Sequence, residues 1–318
     1  MKKRILRASP VLVMLVLVTV GWFHRFWLFD TYRSYFYEPS ATVEQLANRS
    51  GMSEHGRRLF YGGQPELLSG ESFSQECQFA DLGLVLGCYK SADIFILDVD
   101  EDELEPVEPV TAAHEMLHVH YARISIDEER QLEELLDRQL ELVTNQRVLD
   151  EIDGYKKDPN ADLYNEMHSI FGTELAELIP ELEEHYAQFF DDRSLVVAES
   201  DTYEAVFIAL EDQIEEFDAQ LASLGERIDT LESEIDNLNG QITSDRARLQ
   251  SLLDSNQIEQ YNASVPGFNS LVNSHNSKVE QVKTLIAQFN EIVEERNDNV
   301  AAKNNLIKSL DSDLQTIE

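Results

Sequence analysis

From Ile214 the apolar residues fall at Phe217, Leu221, Leu224, Ile228, Leu231, Ile235, Leu238 and Ile242, in alternating steps of three and four with polar residues between them. That stepping is a heptad seam, the stripe of a helix that has to be covered by another helix. It resumes at Val272, His275, Val279, Val282, Ile286, Phe289, Val293, Val300, Ile307, Leu310, Leu314 and Ile317. Between the two arms Asn262 to Gly267, closing in Val265-Pro266-Gly267, reads as the turn. The expectation is a long antiparallel coiled-coil helical hairpin over residues 201–318. Each arm is about 50 residues, so ~75 Å at the helical rise.

Upstream the periods are shorter. Tyr32 to Ser50 predicts one helix, and Gly51 to Gly70 a loop. Leu82 to Tyr89 and Ile94 to Val99 are apolar runs separated by Lys90-Ser91-Ala92-Asp93, a strand pair. Asp100 to Glu108, acidic and followed by Pro109, extends neither strand nor helix, whereas Val110 to Arg123 carries helix formers throughout. Ser125 to Glu128 has the capping-box pattern and opens a helix through Leu132, Leu135, Leu136, Leu140 and Val143. After a break at Gly154 to Asn160 a third helix runs from Ala161 to Leu178, stopped by Pro180, and a fourth reaches Phe190. Residues 31–200 therefore read as one domain, mainly α with a small β portion.

Residues 1–30 have a different texture. Lys2, Lys3, Arg4 and Arg7 precede an apolar run from Val11 to Phe29, interrupted only by His24 and Arg25, with Trp22, Phe23, Phe26 and Trp27 placed like an interfacial aromatic belt. The reading is an N-terminal transmembrane helix that anchors the chain to a membrane. The basic residues on its N-terminal side would leave the N-terminus cytoplasmic and the bulk of the chain extracytoplasmic. A cleaved signal is the rival reading, with a poor cut site around Val18 to Trp22.

A formal charge of −36 argues against nucleic acid as a partner, because a phosphate backbone is bound through a Lys/Arg surface. Cys77 and Cys88 are the only cysteines, and outside the cytoplasm such a pair closes a disulfide; joint zinc ligation is the alternative.

The chemistry lies in His114-Glu115-Met116-Leu117-His118. Positions i and i+4 share a helix face, so His114 and His118 offer two imidazoles to one Zn2+ ion, with Glu115 beside them as the general base. The metal would lower the pKa of a water molecule to around 7, and Glu115 would accept its proton as it attacks a polarised carbonyl.

With Thr111 three residues before the first His, uncharged Ala112 and Val119, and no proline within it, this segment resembles the extended zincin signature of zinc metallopeptidases, departing from it at His120, where that family places an apolar residue. The third His and the Gly of the metzincin continuation are missing from Val119 to Arg130, so the resemblance implies a gluzincin, with a Glu from a later helix as third ligand. On the helix around Leu163 to Leu175, Glu174 falls near the middle of the apolar face set by Leu163, Met167, Ile170, Phe171 and Leu175, and a carboxylate there demands a partner. Glu166 lies on the flank of that face, and Asn165-Glu166 resembles the dipeptide that carries the ligand in thermolysin-like gluzincins. Glu174 and Glu166 are the two candidates, and His168 stands third. Tyr121, His185, Tyr186 and Arg193 are candidates for stabilising an oxyanion, each with an ordinary packing or pairing role as the alternative. The strand Ile94 to Val99 is the expected sheet edge beside the metal, where an extended peptide adds as a further strand, although a core strand fits equally.

The function implied is a membrane-anchored zinc metallopeptidase acting on a peptide or protein substrate. Its hairpin would serve as spacer, substrate-selecting arm or oligomerisation device. The alternative is a non-catalytic surface protein that contacts a partner or a second copy through the coiled coil, its HExxH helix being structural.

Overall fold

The computed structural model describes residues 10–77 and 85–310. Residues up to Val206 together with the segment from Asn305 make one compact unit, and Phe207–Asn304 a second.

The first unit opens with α1 (Pro10–Phe23) and α2 (Arg25–Phe36), and here the membrane reading is overturned. The apolar run is broken at His24 into helices of 14 and 12 residues, and no helix among the described residues is long and apolar enough to cross a membrane. The basic cluster Lys2 to Arg7 lies outside the described residues. What the sequence pattern hid is that α2 belongs to the folded unit. Asp30 is buried and accepts two hydrogen bonds from Arg123, at 3.0 and 3.3 Å, and Arg33 pairs with Asp93. A single-pass topology, with its cytoplasmic N-terminus and extracytoplasmic bulk, goes with the anchor.

Next come α3 (Ala41–Arg49), capped by Ser40, and α4 (Glu54–Gly62), capped by Ser53. The expected loop from Gly51 to Gly70 is therefore mostly ordered structure, since it contains α4 and strand β1 (Glu66–Leu68). The glycines there serve close packing. A Cβ on Gly56 would meet the Phe189 carbonyl oxygen at 2.3 Å, and Gly62 lies against Asp30 of α2.

After α5 (Gly70–Glu76) come β2 (Gly87–Lys90) and β3 (Asp93–Leu97), an antiparallel pair with Cys88 opposite Phe95, as the two apolar runs predicted. The part of the first run from Leu82 to Leu84 lies outside the described residues. β1 adds in parallel on the other side of β3, giving the order β1-β3-β2. β3 is thus the central strand, and the edge expected at Ile94–Val99 is instead offered by β2. Cys77 and Cys88 form a disulfide that ties the end of α5 to β2.

Helix α6 (Val107–Tyr121) carries the HExxH motif, and α7 (Ile126–Leu140) follows with the Ser125–Glu128 capping box in place. Pro106 precedes α6 and Pro109 lies in its first turn, where the missing N–H has no intrahelical partner to lose. α8 (Gln146–Tyr155), capped by Asn145, was not separated in the sequence; Gly154 sits inside it. α9 (Leu163–Glu174) ends four residues earlier than expected, and Pro180 begins α10 (Pro180–Tyr186) rather than merely ending its predecessor.

The core forms where α6 packs on α9, through Ala113, Met116, Leu117, Met167, Ile170 and Phe171, all buried. Burying such large apolar side chains contributes about 1.5–3 kcal/mol each.

Helices α11 (Arg193–Asp254) and α12 (Ile258–Leu310) run on from the first unit into the second. Within Phe207–Asn304 the first-arm seam residues Ile214 to Ile242 are all shielded, with exposed positions between them, as the heptad reading required. In the second arm Leu285 is buried and Ile286 is 42% exposed, so the seam passes through Leu285 instead. Leu314 and Ile317 lie outside the described residues. Cross-arm pairs Lys278–Glu234 (2.5 Å), Arg296–Asp218 (2.5 Å) and Lys303–Glu211 (2.5 Å) fix the antiparallel register.

The turn is displaced from where the sequence placed it. Val265-Pro266-Gly267 lies within α12, and the chain reverses at Ser255–Gln257. Asn256 has φ +54°, its N–H bonds to the Leu253 carbonyl at 3.0 Å, and the Gln257 N–H reaches the Leu252 carbonyl at 2.8 Å. This is a Schellman ending with Asn in the left-handed position.

Candidate metal centre

Helix α6 is enclosed along most of its length, so its polar side chains need partners. His114, Glu115 and His118 face a cavity of about 400 Å³, bounded also by Gly87, Tyr89 and Tyr155. The two imidazoles stand edge to face with ring centres 4.6 Å apart.

Glu166 on α9 reaches both rings. Its Oε2 lies 3.5 Å from His114 Nε2 and 3.7 Å from His118 Nε2. Ligands held at 2.0–2.1 Å around a tetrahedral zinc are separated by about 3.4 Å, close to the distance from Glu166 to each imidazole. On the far side of His118, Nδ1 lies 2.8 Å from Asn165 Oδ1 and 3.3 Å from Ser169 Oγ. Nδ1–H donates to Asn165, and the lone pair of Nε2 is left facing Glu166. Ligating histidines typically have such an outer partner. The donor set of two imidazoles and one carboxylate therefore fits zinc. Glu115 also brings a carboxylate oxygen within 4.8 Å of the two His nitrogens, and its Oε2 is buried with no hydrogen-bond partner.

The electrostatics follow from crowding. Burial disfavours charge on His114, but the hydrogen bond to Glu166 and the charges of Glu115 and Glu166 outweigh it and hold the imidazole up at about 9. Burial, then the neighbouring His114 charge, takes His118 down to about 4. Burial raises Glu115 to about 8 against the pull of His114. Burial also opposes charge on Glu166, yet the hydrogen bond from His114, the two imidazoles and the Tyr155 hydroxyl keep it below the usual carboxylate range.

Of the two carboxylates offered by the sequence, Glu166 meets the histidines and Glu174 does not. Glu174 pairs with Arg147, which also holds Glu204 at 2.5 Å and Glu151 at 3.0 Å. The partner demanded by a carboxylate on an apolar face is thus a guanidinium. This group borders the same cavity, where burial first, then the charge of Glu174, lifts Glu151 to about 7. Arg147, Glu151 and Tyr155 escaped the sequence reading because α8 was not separated; Asn145, whose Oδ1 accepts from Arg147 N at 3.0 Å, was the available signal.

The remaining candidates lie elsewhere. His168 is fully buried beside His185 and His120, not at the Glu166 site. The Tyr186 hydroxyl donates to the His168 carbonyl at 2.7 Å, and Tyr121 is buried next to His168. Arg193 pairs with Glu183 and caps the end of α9 through the Leu175 and Ala176 carbonyls. None of these lines the cavity; among the described residues Tyr89, Tyr155 and Tyr203 are the phenols that do.

β2 runs directly past the site. A Cβ on Gly87 would lie 2.6 Å from the Thr111 methyl and 2.7 Å from Glu115 Oε1, so only glycine lets the strand approach this closely. Among known proteins, no family model, curated protein or solved structure matches this chain.

Proposed function

We propose that the chain is a zinc-dependent hydrolase of the peptidase type, with His114, His118 and Glu166 holding the ion and Glu115 as general base. The observation that carries this reading is the convergence of Glu166 on the two Nε2 atoms next to an unpartnered Glu115. When bound, zinc supplies Lewis-acid polarisation of a carbonyl and lowers the pKa of water.

The chain's own residues supply the rest. Asn165 orients His118 through Nδ1, and the Tyr155 hydroxyl favours the charged form of the Glu166 carboxylate. Glu115, buried beside the two histidines, would take a proton from attacking water and pass it to the leaving amine. β2 pairs only with β3 among the described residues, so its outer edge can take an extended peptide as a further strand, bringing a scissile carbonyl toward Glu115.

Zinc analysis of the purified chain, with hydrolysis of a mixed peptide library, tests this. His114→Ala and Glu166→Gln should each lose one equivalent of zinc relative to wild type, Glu174→Gln should keep it, and Glu115→Gln should keep the metal while losing hydrolysis. Unchanged zinc in both ligand variants, or no hydrolysis by zinc-loaded wild type, would sink the proposal. A second reading, a non-catalytic interaction protein, draws support from the His114–Glu166 ion pair, which partners those two residues without an ion. It predicts no zinc dependent on His114.

A further inference from the structure

His120, the residue that departs from the zincin pattern, points away from the cavity into a second group of imidazoles. His120 on α6, His168 on α9 and His185 on α10 each offer one ring nitrogen within 4.8 Å of the other two. His168 Nε2 and His185 Nε2 are 3.0 Å apart. Three different helices thus bring their histidines to one point, and none of the three rings is fully exposed.

Hydrogen bonding does not account for the group. His120 Nε2 and His168 Nδ1 are buried without a partner. A pair of neutral imidazoles can share one proton between His168 and His185, but that leaves the third ring with nothing to bind. Among the described residues, no carboxylate hydrogen-bonds to any of the three rings. Aromatic rings enclose them instead: Phe189 lies 4.4 Å from His120 between ring centres, and Tyr186 stacks on His168 at 5.4 Å. His55 is the other titratable side chain acting on His120.

We propose that His120, His168 and His185 form a second transition-metal site, which takes a zinc-class divalent cation through three neutral imidazoles. The 3.0 Å contact and the 4.8 Å limit bracket the separation of about 3.4 Å that ligands of a tetrahedral zinc require. Three protein ligands leave a fourth position for water or another small ligand. An all-imidazole set selects zinc, copper or nickel and rejects calcium and magnesium, which take oxygen ligands.

The site shares no residue with the Glu166 centre, and its test is independent. The full-length chain is loaded with Zn2+, dialysed, and its zinc counted for wild type, His185→Ala, His120→Phe, His114→Ala and the double variant His114→Ala/His185→Ala, with circular dichroism to confirm folding. The result expected is two equivalents in wild type, one in each single variant and none in the double. His120→Phe, which keeps an aromatic ring against Phe189, decides the matter if His185→Ala does not fold. Zinc counts in His185→Ala and His120→Phe equal to wild type overturn the proposal, as does zinc lost entirely with His114→Ala. A single equivalent lost with His185→Ala but kept in His114→Ala supports the second site while removing the first.

Discussion

Asn165 holds His118 in one tautomer, because Nδ1–H has an acceptor at 2.8 Å and Nε2 then presents its lone pair. Asn165→Ala should weaken zinc binding about 10- to 100-fold with little change in unfolding temperature. Competition against a chromophoric chelator measures it, and an unchanged affinity would show that Ser169 suffices. A second residue sets part of the pH dependence. Burial, opposed by the Val99 N–H at 3.0 Å and by Arg49, raises Glu108 to about 7 from the ordinary 4.5. The folded state therefore binds this proton more tightly than the unfolded chain. Its contribution is fully present below about pH 4.5 and is lost as pH rises through about 7. Melting temperatures between pH 5 and 8 should fall less steeply in Glu108→Gln than in wild type. The dependence should not vanish, because Glu151 is raised in the same sense.

At the scale of elements, the separation of α6 and α9 decides whether Glu166 reaches the histidines. Gly172 permits the contact: a Cβ there would lie 2.6 Å from Leu117 Cδ1 and 2.7 Å from Tyr186 Cε1. Gly172→Val should push the helices apart, costing about 1–3 kcal/mol in denaturant unfolding and lowering zinc affinity at the Glu166 centre. Full stability in the variant would mean that the contact is not limiting. Legibility in the sequence also varied by element. The Ser125–Glu128 capping box, the HExxH helix and the first-arm seam are specified by residues close in the chain, and each formed where expected. In α4 and at Pro266 the glycines and proline that mark breaks in the sequence pattern lie within continuous helix. Gly56 and Gly62 instead serve close packing, and Pro266 sits exposed inside α12. The true turn depended on one Asn with positive φ, a weaker mark than Pro-Gly.

For the whole molecule, the boundary between the two units bears on the site. Tyr203 and Glu204 belong to the first unit, Tyr203 lines the cavity and Glu204 pairs with Arg147. Removing everything from residue 203 would therefore take away part of the site itself. Asp218 and Arg296 are paired across the arms, so a short flexible loop in place of residues 219–295 can join them. That shortened chain should keep wild-type zinc content and hydrolysis if the hairpin is a spacer or a partner-binding arm. Loss of either activity in a folded protein would assign the hairpin a direct part.

By itself the sequence determined what local spacing can carry: two histidines and a glutamate on one helix face, a heptad seam that requires a second arm, and a pair of cysteines placed to join. The choice of Glu166 over Glu174 belonged to tertiary structure, because it turns on which cation or ligand stands opposite each carboxylate. Arg147, 27 residues earlier in the chain, pairs with Glu174 and leaves Glu166 facing the histidines. The fate of the apolar N-terminus was decided the same way. Hydropathy counts residues along the chain, whereas Asp30 and Arg123, distant in sequence and paired in the fold, determine that α2 is packed into the first unit.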